Sequence, residues 1–230
     1  MENILLLHGA IGAGDQLQHL ANELKKNFNV FTLNFSGHGG NQNKSQEFSI
    51  QLFCDDVNDF LSSQLLDKIN IFGYSMGGYV AIYFAKIYPE KVDKVITLGT
   101  KYHWSEEIAA NEIRMLDPER IQQKVPAFAD ELQKRHAPND WKILLNQTKD
   151  LLISLGKSNL LSASGYNQIS NPVLILLGDR DKMVSLDETI EVYQSLPKAA
   201  LGILPSTPHQ IEQVNPSLLS LLIRQFILMK

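Results

Sequence analysis

The stretch from Ile69 to Tyr88 constrains the fold of this 230-residue chain more than any other. It reads Ile-Asn-Ile-Phe-Gly-Tyr-Ser-Met-Gly-Gly-Tyr-Val-Ala-Ile-Tyr-Phe-Ala-Lys-Ile-Tyr. A short apolar run meets Gly73, Tyr74, Ser75, Met76 and Gly77 and passes at once into a helical apolar pattern. Strand, sharp turn around a Ser, then helix is the context of the G-x-S-x-G nucleophile elbow. Such a turn strains the Ser backbone. A Cβ two residues to either side would strike the neighbouring strand or helix, and glycine removes it. The turn lifts the Ser75 hydroxyl above the carboxyl ends of the strands. It also leaves the N–H of Met76 free at a helix N-terminus, where it can stabilise a developing oxyanion. A glycine-rich turn whose Ser merely caps the helix would read the same way, so the rest of the chain decides.

Apolar runs alternate with helical patterns along most of the length. Strands are predicted at Asn3 to Leu7, Val30 to Phe35, 69 to 73, Val92 to Leu98, Val173 to Leu177 and Ala200 to Leu204. Helices are predicted from Asp15, as the cap, through Lys26, from Ser49 through Leu66, over 76 to 88, near Leu186 to Ser195, and after Pro216. Ser36 to Gln46 reads as a Gly/Asn/Ser loop. The strands are continuous apolar runs, which marks a parallel sheet covered on both faces, and right-handed crossovers make it doubly wound. From about Tyr102 to Gly165 the rhythm breaks. No strand is evident there, and helical patterns run near Ser105 to Leu116, Pro126 to His136 and Asp140 to Leu155. The expected division is a core over 1–101 and 166–230 with a helical cap over 102–165.

Composition narrows the function classes. A hydrophobic content of 44% with 20% charged residues suits one large α/β domain with a sizeable core. The formal net charge of -4 offers no basic excess to neutralise phosphates, so no nucleic-acid partner is expected. The single Cys54 excludes an internal disulfide, and its neighbours Leu52, Phe53 and Val57 suggest a buried, inert thiol. Glu2 stands where a secretion signal would be positive, and Arg224 and Gln225 interrupt the apolar run from Leu218 to Met229. A cytoplasmic enzyme without a membrane span is the expectation. The loop from Gly9 through Gly14 fails the dinucleotide fingerprint. Ile11 occupies a required glycine position, and the next strand ends at Leu33-Asn34 with no carboxylate for a ribose. A P-loop is absent and no His/Cys/carboxylate group has metal spacing. No cofactor and no metal are expected.

A Ser nucleophile is weak until a base takes its proton, and the base needs an acid to orient it. Of the six histidines, only His209 lies beyond the last two predicted strands, in a loop directly after the strand ending at Leu204. Gly178-Asp179-Arg180-Asp181 follows the strand ending at Leu177 and offers two carboxylates. Asp181 is the first candidate. Asp179 is the second, because it directly follows the strand and suits a turn-forming role. Ser75, Asp181 and His209 each follow a different strand at one sheet edge, in the chain order this architecture requires. His8, Gly9 and Ala10 follow the first strand, where the second oxyanion N–H arises; Ala10 is the candidate donor beside Met76, and His8 shapes the loop.

With these residues assembled, the chain resembles the α/β-hydrolase superfamily over essentially its full length. The resemblance rests on Leu-Leu-His8-Gly9, Asn34-Phe-Ser-Gly37-His38-Gly39, Gly73-Tyr-Ser75-Met-Gly-Gly78, Gly178-Asp-Arg-Asp181 and Pro208-His209, in family order. The family often carries Asp where this chain has Asn34, and its sheet usually begins with two strands before the His-Gly strand. It implies an α/β, doubly wound, mostly parallel sheet of about six strands that lacks the first two, with the Asn3 strand beside the elbow strand and a helical cap insertion.

The resemblance implies a serine hydrolase that cleaves a carboxylic ester or thioester through an acyl-enzyme on a Ser75–His209–Asp181 triad. The partner is then a small molecule, and the sequence carries no mark of oligomeric state. Trp104, Phe128, Trp141 and Met183 are candidate apolar walls of the substrate pocket. Two alternatives stay open. One is a lyase or carbon–carbon hydrolase on the same scaffold, similar to the menaquinone-pathway cyclohexadiene carboxylate synthases. Its substrates carry several carboxylates and need convergent cations; Arg114, Arg120 and Arg135 lie in the cap among equally frequent acids. The other is a non-catalytic ligand-binding protein of the same fold.

Overall fold

A computed structural model describes residues 1–229. These residues form one parallel six-stranded sheet: β1 (Asn3–Leu7), β2 (Asn29–Leu33), β3 (Ile69–Tyr74), β4 (Val92–Leu98), β5 (Val173–Gly178) and β6 (Ala199–Leu204). The strand order is β2-β1-β3-β4-β5-β6. Ten α-helices among the described residues complete the fold: α1 (Gln18–Leu24), α2 (Ile50–Ser63), α3 (Met76–Ile87), α4 (Glu106–Glu112), α5 (Pro118–Lys124), α6 (Pro126–His136), α7 (Trp141–Lys157), α8 (Ala163–Tyr166), α9 (Leu186–Ser195) and α10 (Pro216–Leu228).

Side chains alternate across a strand, and here both faces are apolar. In β1, Ile4 and Leu6 join a core with α1 and α10, built on Leu20, Leu24, Leu219 and Ile223. Leu5 and Leu7 point the other way, into a core with α2 and α3 that holds Phe53, Val57, Val80 and Phe84. β5 repeats the pattern: Val173 and Ile175 face one core, Leu174 and Leu176 the other. Fully burying each such side chain stabilises the fold by about 1.5–3 kcal/mol. The sheet is therefore doubly wound.

The chain leaves β1 for the edge strand β2 and then returns to the opposite side as β3, which pairs in parallel with β1. The strand order reverses at β1. In open α/β sheets the crevice outside the carboxyl ends at such a reversal is the natural ligand site. The loops after β1 and β3 flank it.

Local signals explain most helix ends. The Ser49 Oγ accepts the Leu52 N–H at 3.0 Å and starts α2, and Asp140 caps α7 through the Lys142 N–H. Asn215 caps α10, with Pro216 in its first turn. The first helix differs from expectation. Asp15 lies inside a 3-10 turn over Gly14–Leu17, and α1 runs only from Gln18 to Leu24. The Gly14 N–H donates to Asn34 Oδ1 at 2.7 Å, which pulls the turn onto the loop after β2. Asp15 instead turns its carboxylate to Arg135.

Between β4 and β5 the described chain is helical and contains no strand. α5 and α8 were not anticipated, although Asp117 with Pro118 and Ser162 are ordinary start signals. Among the described residues no helix is long and apolar enough to cross a membrane.

Candidate active site

Ser75 ends the turn between β3 and α3 with φ 52° and ψ -118°. A non-glycine residue with such a φ is strained and persists only where its surroundings over-determine it. The surroundings do so here. The Ser75 N–H donates to the Leu98 carbonyl at 2.9 Å, and Thr100 Oγ1 donates to the Ser75 carbonyl at 3.1 Å. A Cβ on Gly73 would meet the backbone of Gly77 and Gly78. A Cβ on Gly77 would lie 2.5 Å from the carbonyl oxygens of both Leu7 and His8. Glycine is thus required where α3 crosses β1. Gly77→Ala should lower stability by about 1–3 kcal/mol, because rigid backbone has to move. Equal urea midpoints for the two proteins would refute this.

The loops after β5 and β6 bring Asp181 and His209 to Ser75. His209 Nε2 lies 3.3 Å from Ser75 Oγ, and His209 Nδ1 lies 2.7 Å from Asp181 Oδ2. The carboxylate is an acceptor, so Nδ1 carries the proton and Nε2 presents its lone pair to the hydroxyl. The Asp181 side chain is 2% exposed. Burial pushes its carboxyl up. The His209 hydrogen bond and charge, with the N–H groups of Val184 and Met183, outweigh that and leave it below its ordinary value. Gly99, at φ +58°, passes beneath both groups; a Cβ there would lie 3.1 Å from Asp181 Oδ2.

Asp179 is not in this line. Its Oδ1 accepts the Thr207 N–H at 3.0 Å, and hydrogen bonds from Ser206 and Thr207 hold its carboxyl below the usual value. The Arg180 N–H donates to the Thr207 carbonyl at 3.1 Å. These bonds fasten the loop of Asp181 to the loop of His209.

Ala10 and Met76 line a cavity of about 670 Å³ together with Ser75 and His209. Met76 is the first residue of α3, where N–H groups lack intrahelical acceptors. Asn34 steadies the loop opposite. Its Oδ1 accepts from Gly14, and its Nδ2 donates to the Gly39 carbonyl at 3.2 Å. A carboxylate could accept there but not donate.

The far wall of the cavity is apolar: Ile50, Tyr79, Leu116, Phe128, Leu152 and Leu155. Trp104 and Met183 also line it. Trp141, expected as a wall, does not; it is 5% exposed and packs in the core on the α2 and α3 side. It starts α7, whose apolar face turns into that core, so its ring fills the interior. Of Arg114, Arg120 and Arg135, only Arg135 lines the cavity. It is held by Glu131 at 2.6 Å and Asp15 at 3.3 Å. Lys101 is paired with Glu112 at 3.4 Å and donates to the Met183 carbonyl at 2.6 Å. Among the described residues, no group of three or more His, Cys, Asp or Glu side chains is placed to hold a metal ion. Sequence reasoning missed Gly99, Thr100 and Lys101. Their position directly after β4, at the carboxyl edge, was the available signal.

A family model described as "alpha/beta hydrolase fold" matches residues 2–159. "Putative esterase/lipase 2" of Mycoplasma genitalium is 29% identical over 68% of this chain, and the match spans 62% of that protein. "Putative 2-succinyl-6-hydroxy-2,4-cyclohexadiene-1-carboxylate synthase" of Bacillus subtilis is 23% identical over 98% of this chain and 90% of its own length. The solved structure of a thermophilic esterase from Thermogutta terrifontis superposes with a TM-score of 0.79 at 21% identity, covering 99% of this chain and 89% of that one. At that identity the likeness is one of fold.

Proposed function

Because the chain belongs to the alpha/beta hydrolase fold family, we propose that it is a serine hydrolase of small carboxylic esters or thioesters, working through an acyl-enzyme on Ser75. One observation carries the reading: His209 lies 3.3 Å from Ser75 Oγ on one side and 2.7 Å from Asp181 on the other. As Ser75 Oγ attacks the carbonyl carbon, its proton passes to His209 Nε2. Asp181 keeps the ring in the competent tautomer and stabilises the imidazolium. The N–H groups of Ala10 and Met76 receive the oxyanion, and each such donor is worth two to three powers of ten in rate, roughly. Collapse of the tetrahedral species breaks the bond to the alcohol or thiol, which leaves with the proton from His209. Water, deprotonated by the same imidazole, then attacks the acyl-enzyme. Acid is released and the Ser75 hydroxyl is restored.

The helical segment over 102–165 acts as a cap in this reading, because it supplies Trp104, Leu116, Phe128, Leu152 and Leu155 to the cavity wall. Such a wall suits an apolar acyl group. The name of the Bacillus subtilis relative carries the lyase alternative. A substrate with several carboxylates would need unpaired cations in the wall, and Lys101 and Arg135 are each matched by a carboxylate. The charges therefore favour the ester or thioester reading.

The test is a panel of p-nitrophenyl esters and acyl-thioesters of increasing acyl length, with a fluorophosphonate probe beside it. The expected result is saturable turnover on at least one acyl length and a covalent adduct on the peptide containing Ser75. No turnover above the uncatalysed rate across the panel, together with no adduct, would reject the proposal.

A further inference from the structure

We propose that His136, from the end of α6, is a positioning residue that aims the oxyanion-binding N–H of Ala10. The inference rests on the hydrolase reading and extends it to a residue of the cap. The geometry is a chain of peptide groups. The Gly39 N–H donates to His136 Nδ1 at 3.1 Å. That leaves the proton on Nε2, which donates to the Ile11 carbonyl at 3.0 Å. The Ile11 carbonyl and the Gly12 N–H belong to one peptide group. That N–H donates to the Gly9 carbonyl at 3.2 Å, an oxygen that also lies 2.8 Å from His8 Nδ1. The Gly9 carbonyl and the Ala10 N–H are in turn one peptide group, and Ala10 borders the cavity beside Ser75. Imidazole, first peptide and second peptide are thus linked in series, and hydrogen bonds in series polarise one another.

Two further observations support the role. Ile11 has φ 53°, a left-handed conformation that a β-branched residue adopts only under outside constraint. His136 is fully buried, and its ring is the outside group that grips the Ile11 carbonyl. The neighbouring Asn139 Nδ2 donates to the carbonyls of Gly37 at 3.1 Å and Asn41 at 2.7 Å. The end of α6 is therefore fastened to the loop after β2, and His136 extends that attachment to the loop after β1. Docking of the cap and the aim of the oxyanion donor become one event.

The experiment compares wild type with His136→Ala, His136→Gln and His136→Asn, using p-nitrophenyl butyrate and amide hydrogen exchange. His136→Ala should lower kcat by about ten- to a hundredfold, because small misplacement of a transition-state donor is costly. KM should change by less than about threefold, since the oxyanion forms after binding. Gln reaches the Nε2 position and can donate to Ile11, so it should recover most of kcat. Asn reaches only the Nδ1 position, restores the Gly39 bond alone, and should stay near the Ala variant. Gly12 amide exchange should accelerate in the Ala and Asn variants and not in the Gln variant. A kcat for His136→Ala within twofold of wild type overturns the inference. So does equal recovery by Gln and Asn, which would mark a purely structural role. Should wild type neither turn over the panel nor label with fluorophosphonate, the hydrolase reading fails instead. Unchanged Gly12 protection in His136→Ala then overturns this inference independently.

Discussion

Ser75→Ala is expected to lower kcat on the best ester by on the order of 10⁶, with His209→Ala costing a similar factor and Asp181→Asn about 10⁴. The unequal losses follow from the proposed roles. Without the hydroxyl there is no nucleophile, and without the imidazole nothing takes its proton. Asn at 181 keeps the size of the side chain but permits the wrong tautomer of His209, whose Nδ1 now faces Asp181 Oδ2 at 2.7 Å. The double variant Ser75→Ala, His209→Ala should be no worse than either single one, because the groups act as a unit. Asp179→Asn is the control. Its carboxylate ties two loops through Thr207 and touches neither His209 nor Ser75. It should cost far less in kcat than Asp181→Asn. If the two Asn variants lose activity equally, the assignment of Asp181 as the orienting acid is wrong.

Acid should destabilise the fold steeply between about pH 6.5 and pH 4. Three histidines are buried neutral near the loops after β1 and β2. Burial lowers His8 from 6.5 to about 4, against a raising hydrogen bond to the Gly9 carbonyl. Burial also pushes His38 well below 6.5 and lowers His136. The groups around them do not reverse this. His8 and His136 both oppose a proton on His38, and His136 opposes one on His8; the carboxylate of Asp15 pulls the other way at His8 and His136, against the cation of Arg135, without overcoming burial. Each group therefore binds a proton in the unfolded chain at a pH where the native chain leaves it neutral. Below an unfolded value near 6.5, falling pH favours the unfolded state, and the loss ends where the native histidine itself protonates. Each histidine contributes about 1.4 kcal/mol per pH unit within its window. Three together make the loss severe for a domain of ordinary stability of about 5–15 kcal/mol. The measurement is the urea midpoint at pH 7.5, 6.5, 5.5 and 4.5. The contribution of these groups is complete above about pH 6.5, and midpoints should drop at each step below it. Midpoints unchanged from pH 7.5 to 4.5 would sink the prediction.

How far the sequence could be read depends on the range of the interactions involved. β1, α6 and α9 have boundaries that local pattern marks sharply, since apolar periodicity and flanking turn residues are neighbours in the chain. Asp15 shows where that logic fails. As a capping type before an apolar helix it was a reasonable start signal, but Gly14 bonds to Asn34, and Asp15 is drawn to Arg135 across 120 positions. Trp141 fails for the same reason. An aromatic residue between β4 and β5 can serve as pocket wall or, more commonly, as core, and the packing of α7 decides between them.

Ser75, Asp181 and His209 were legible as candidates because their order and their placement after strands are properties of the chain itself. The parallel sheet follows from apolar runs that bury both faces, and it sends every post-strand loop to one edge. What only the tertiary structure decided is which of Asp179 and Asp181 meets the imidazole, which cations in the cavity wall are already paired, and that His136 reaches the loop beside Ala10. Those outcomes turn on contacts of about 3 Å between residues far apart in sequence, and hydrogen bonds weaken steeply beyond that distance. Pattern along the chain carries composition and period; it does not carry such distances.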